Sequence, residues 1–166
     1  MKMRENDRVA QILGQWASVR PDLDVSPIGV IGRLHRVGLR LTESLTAIYA
    51  EYGLTEGDFD VLATLRRSGT AAALTCGDLA ASTMVTTGGM TKRIDRLEGA
   101  GLVRRQPSAT DGRSRLVSLT PVGTDLIDEA YTAHVANEHT LVAPLSQEER
   151  DQLAQLLARW LAALEA

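Results

Sequence analysis

A chain of 166 residues that holds a single cysteine, Cys76, cannot close a disulfide within itself, and three scattered histidines add no zinc-ligand set. Aromatic residues are scarce at 4%, with one phenylalanine, so a core has to be built mainly from aliphatic side chains. No apolar run approaches the roughly 18 residues of a membrane span, and the opening residues Met1 to Arg8 are charged. A cytoplasmic protein without a membrane partner is therefore expected. Also lacking are a Gly-rich phosphate loop, a Gly-x-Ser-x-Gly elbow, a Cys/His pair and any metal-ligand spacing, which argues against an enzyme and against a cofactor.

Positive charge is in deficit too, with a net −3, an unpromising figure for a duplex binder that gains affinity by neutralising phosphates. The distribution changes that picture. Between Ser82 and Thr120 lie seven basic residues (Lys92, Arg93, Arg96, Arg104, Arg105, Arg113, Arg115) and three acidic ones, whereas Pro121 to Ala166 has two basic and eight acidic. A basic middle on an acidic body suits local contact with DNA.

What is present is mostly helical periodicity. Val9, Ile12, Leu13 and Trp16 form one apolar stripe of a short helix. Residues 27–52 read as one long helix with two apolar faces, Val30/Leu34/Val37/Leu41/Leu45/Ile48 and Ile28/Ile31/His35/Gly38/Thr42/Tyr49, which predicts burial on two sides and hence a second subunit, with His35 at the seam. Thr55 with Asp58, Thr75 with Asp78, and Ser146 with Glu149 have the spacing of capping boxes. Between the second of these and Gly101 the sequence predicts two short helices with a turn at 82–86, the second over 87–99 with Met90, Ile94 and Leu97 inside and Thr87, Thr91, Lys92 and Arg96 outside. Leu102 to Gln106 and Arg115 to Leu119 read as strands joined by a turn-rich loop containing Asp111-Gly112. Thr120-Pro121 then opens a long helix, and the last helix carries Leu153, Leu156, Leu157, Trp160 and Leu164. The expected fold class is mainly α with a small β wing, divided into an extension (1–26), dimerisation helices (27–53 and 121–166) and a winged helix-turn-helix module (54–120).

Two segments, Asp95-Arg-Leu-Glu-Gly-Ala-Gly-Leu-Val-Arg-Arg105 and Asp111-Gly-Arg113-Ser-Arg-Leu-Val-Ser-Leu-Thr120-Pro, resemble the signatures of the MarR family of winged helix-turn-helix regulators. The resemblance implies a homodimer on a pseudo-palindromic operator in double-stranded DNA, with Thr86, Thr87, Gly88, Thr91, Lys92, Arg96, Arg113 and Arg115 as the contact residues. A narrower resemblance, to the urate-responsive branch with an added N-terminal helix, implies a small anionic ligand, urate or a related purine, held by Trp16, Asp60, Arg93 and Arg105. The residues themselves support Arg93, which falls on the inner stripe of its helix, where a guanidinium needs an anionic partner. From pattern alone Asp60 shares a side with Thr64 and Arg67 and reads as solvated. Alternatives are a phenolic or carboxylate ligand, a switch by oxidation of Cys76 near a helix start, and a protein-interaction module that has lost DNA.

Overall fold

The computed structural model describes residues 7–69, 73–83, 89–107 and 115–166. Its elements run α1 (Arg8–Val19), α2 (Ile28–Glu51), α3 (Glu56–Arg67), β1 (Leu74–Thr75), α4 (Cys76–Ser82), α5 (Met90–Gly99), β2 (Val103–Pro107), β3 (Arg115–Leu119), α6 (Pro121–Val142) and α7 (Gln147–Leu164). They divide into two units, residues 1–44 and 45–166.

In the first unit one carboxylate starts α1 and ties it to α2. Asp7 Oδ1 accepts from the backbone N–H of Val9 at 3.0 Å, and Oδ2 accepts from Arg33 Nε at 2.9 Å. Val9 packs on Gly32 and is the one buried residue of α1. Ile12 and Leu13 are half-buried, Leu13 against Gly29, whereas Trp16 at the end of the stripe is left 46% exposed. Val30, Ile31, Leu34, Val37 and Leu41 of α2 are exposed as well, and so is His35.

The second unit is organised around α3. Its buried face, Phe59, Val61, Leu62 and Leu65, meets Leu79 from α4, Ile94 and Leu97 from α5, Val103 and Val117 from the wing, and Ile127 and Ala130 from α6. All three capping boxes are formed, so α3, α4 and α7 begin where the Thr/Asp and Ser/Glu spacings place them. Strands β2 and β3 pair antiparallel with Arg105 opposite Val117, and β1 joins as a third strand through Leu74 opposite Val117, giving the order β1-β3-β2. The helix expected over 87–99 is observed over Met90–Gly99: Gly89 has φ 87°, a left-handed conformation that a right-handed helix cannot continue through. Thr86, Thr87, Gly88 and Arg113 lie outside the described residues. Helix α7 has no buried residue, and Leu153, Leu156, Leu157, Leu161 and Leu164 are all exposed along it.

Candidate nucleic-acid interface and adjoining sites

Helix α5 is seated by Met90, Ile94 and Leu97, all buried, which leaves Thr91, Lys92, Asp95 and Arg96 exposed. Its three arginine attachments define how it is held. Arg96 turns back to the start of α3, where Nη2 donates to Thr55 Oγ1 at 3.2 Å and forms an ion pair with Asp58. Asp58, only 2% exposed, is thus shared: it accepts from the Thr55 hydroxyl at 2.7 Å and the Thr55 N–H at 3.0 Å, closing the capping box, and it anchors α5 through Arg96. Burial alone would push its carboxyl up, but the hydrogen bonds from Arg96 and Thr55 outweigh it and hold the group below the usual carboxylate range.

A carboxyl lowered in the folded state stabilises the fold above its unfolded pKa, about 4, and that contribution disappears as pH falls through the lowered folded value. Asp58→Ala should cost about 2 kcal/mol at neutral pH, the loss of a cap plus charge-assisted bonds to a buried acceptor. Urea titration checks it. The gap between variant and parent should shrink in acid below about pH 4; a variant equal to the parent at pH 7 would count against the shared anchor.

Arg105 holds the wing to α5. Its Nη1 donates to Glu98 Oε2 and its Nη2 to Asp95 Oδ1, each at 2.6 Å, and its backbone N–H donates to Glu98 Oε1 at 3.0 Å. Burial opposes the charge, but the two carboxylates more than compensate, so the guanidinium is held above its ordinary value. Arg93 is the third attachment. Its guanidinium lies so close to Gly57 that a Cβ added there would sit 2.4 Å from Cζ, and Nη1 is buried with no hydrogen-bond partner among the described residues.

Of the residues expected to share a ligand pocket, Arg93 stands over the first turn of α3, while Arg105 is engaged by Asp95 and Glu98. Asp60 is not on a solvated face. It is partly buried and lines a cleft of about 740 Å³ bounded by Tyr49, Phe59, Tyr131 and His134, and its helical neighbour Thr64 is 1% exposed. Trp16 belongs to the other unit. Sequence reading missed Asp58 as an anchor, because its capping role explained it already, and missed the aromatic cleft, whose rings come from three helices. The Tyr131/His134 pair at i, i+3 was the one local signal.

A helix-turn-helix followed by a β wing defines a class of protein, and the comparisons identify which. The MarR family model matches residues 52–114. The transcriptional regulator PecS of Dickeya dadantii is 42% identical over 151 residues, covering 91% of each chain. A crystal structure of mutant MarR from E. coli complexed with operator DNA is 28% identical, with a TM-score of 0.71, over 84% of this chain and 99% of that one. Bordetella bronchiseptica BpsR, a structure concerned with regulation of DNA binding by 6-hydroxynicotinic acid, is 26% identical, with a TM-score of 0.69, over 80% of this chain and 98% of that one. The chain belongs to the MarR family of winged helix-turn-helix transcriptional regulators. No helix among the described residues is long and apolar enough to cross a membrane.

Proposed function

We propose that this chain is a repressor that binds a pseudo-palindromic operator as a homodimer and leaves it when a small anionic ligand, urate or a related purine, binds. The likeness to MarR held on operator DNA supports the DNA half. Thr91 and Lys92 on the outer side of α5, with Thr86, Thr87, Gly88 and Arg96, meet the major groove and its phosphates, and Arg113 and Arg115 of the wing reach the adjoining backbone and minor groove. The apolar faces of α2 and α7, exposed in a single chain, support the dimer, with His35 in its seam.

The observation that carries the ligand half is the buried Nη1 of Arg93, a charged donor without an acceptor among the described residues, on the helix proposed to read DNA. Leaving such a group unpaired costs several kcal/mol, and an anionic oxygen removes that cost. Asp60 of α3 and Arg105 of β2, in the same unit, are the further residues proposed for it. The likeness to BpsR favours aromatic carboxylates as the second ligand class to test.

The experiment is to select operator sites from random duplexes, then measure anisotropy with urate, xanthine and 6-hydroxynicotinic acid. Urate should weaken the complex, and by linkage a tenfold loss of DNA affinity means that urate binds about 1.4 kcal/mol more weakly to the DNA-bound dimer. Arg93→Ala should lower urate affinity roughly tenfold or more while DNA binding changes less, since a charge-assisted bond to a buried guanidinium is removed. Full urate affinity in Arg93→Ala overturns the ligand site, and failure to select any duplex overturns the DNA reading.

A further inference from the structure

The start of α3 holds a glycine that its own backbone does not call for. Gly57 is the second residue of the helix, and it is not one of the glycines with a positive φ, which among the described residues are Gly53, Gly69, Gly89 and Gly101. Any residue can adopt a right-handed helical turn, and glycine is the weakest choice there after proline. Gly57 is nonetheless buried. What uses its missing side chain is therefore a neighbour, and the three atoms nearest to a Cβ built at this position all belong to Arg93.

The contact has a definite form. That Cβ would stand well inside van der Waals distance of Nε, Cζ and Nη2, and almost equally far from all three. A point so placed lies above the plane of the guanidinium rather than off its edge, so the flat face of Arg93 covers Gly57 and fills the volume that a side chain would take. Nη1 occupies the remaining corner, buried and without a hydrogen-bond partner among the described residues. Packing alone gives this arrangement little to recommend it. A cation stands against the positive end of the α3 dipole, one of its nitrogens is shut away from water, and the helix forgoes a better residue. Asp58, the buried acid of the same turn, is engaged by Thr55 and Arg96 instead. The first two of these costs are offset when an anionic oxygen reaches Nη1.

We propose that Gly57 is a positioning residue of the anion sensor: by lacking a Cβ it lets the Arg93 guanidinium lie face-on against the start of α3, which holds Nη1 in the buried place from which it meets the ligand. This role rests on the anion reading of Arg93 and adds to it the feature that aims the guanidinium. A methyl group at position 57 would turn Arg93 outward, because the far end of a flexible side chain yields before backbone does. Arg93 is only half-buried, so it has solvent to move into. The sensor would then lose its charged donor while the helix that carries it keeps its apolar seat on Met90, Ile94 and Leu97.

The test compares the full chain with Gly57→Ala, and with Gly99→Ala as control because a Cβ there meets nothing within 4 Å. Phenylglyoxal condenses with two guanidinium nitrogens and so reports, without any ligand, whether Nη1 is accessible; peptide masses locate the modified arginine. Arg93 is expected to react roughly tenfold faster in Gly57→Ala than in the parent, and at the parental rate in Gly99→Ala. Urate affinity should fall roughly tenfold or more in Gly57→Ala, since a charge-assisted bond loses its donor, while operator affinity changes less. The melting point should be no lower than the parent's, because alanine favours the helix and only a side-chain end has to move. Arg93 equally protected in Gly57→Ala, or a melting point several degrees lower, marks a glycine required for packing and overturns the positioning role. Parental urate affinity in Gly57→Ala beside a loss in Arg93→Ala also overturns it, and leaves the anion site itself standing. A parent chain that does not bind urate, or an Arg93→Ala chain that binds it in full, overturns the anion reading and this role with it.

Discussion

A chain ending at Leu145 is expected to lose the dimer and, with it, roughly 100-fold or more of operator affinity. The expectation begins with α7, an 18-residue helix without a buried residue. Five leucines lie exposed along it, an arrangement that a soluble helix keeps only when another surface covers it. The core of the second unit, from Tyr49 to Ala130, draws nothing from α7, so its removal should leave the winged module folded. What disappears is the linkage of two modules, which makes the second half-site contact effectively intramolecular. Sedimentation gives the oligomeric state and anisotropy the affinity. A truncated chain that still dimerises and binds its operator as the parent does would remove α7 from the interface.

Gly123→Ala is expected to lower stability by about 2 kcal/mol or more, although alanine would recover about 1 kcal/mol of helix propensity. A Cβ at this position would stand 1.9 Å from the Leu102 carbonyl oxygen and 2.8 Å from its carbon. Those are backbone atoms, and they are already committed: the Leu102 carbonyl accepts from the Thr120 N–H at 3.0 Å, and the Thr120 hydroxyl bonds to the Gly101 carbonyl at 2.7 Å while capping α6. Relief would require α6 to lift off the base of the wing. Loss of about 2 kcal/mol corresponds to a melting point lower by roughly 6 °C in a chain of this size. Gly99→Ala supplies the control, since a Cβ there meets nothing within 4 Å. A melting point unchanged in Gly123→Ala would show that the junction is soft.

Features whose causes lie within one turn of helix were legible in the sequence. The boxes at Thr55, Thr75 and Ser146 start their helices because cap and partner are three residues apart. The inner stripe of α5 put Arg93 inward, and its Nη1 is buried. Features that depend on distant partners were not legible. Strand β1 is two residues long and exists because β3 is beside it; locally, Thr75 reads only as a cap. Arg96 lies off the apolar stripe and is exposed, and nothing near it in sequence shows that its side chain also bonds to Asp58, 38 residues earlier. Asp60 reads as solvated because nothing nearby in sequence announces that Tyr131 and His134 will face its helix.

The clasp of Arg105 on Asp95 and Glu98 bears on how association with a polyanion would depend on ionic strength. Two acids on the helix proposed to enter the groove would repel phosphates, but both already pair with the one guanidinium of Arg105. That guanidinium is occupied internally and displaces no condensed ions from a duplex. On the DNA-binding reading, its substitution therefore shifts a plot of log affinity against log salt downward while the gradient, set by the side chains that do meet phosphates, stays nearly the same.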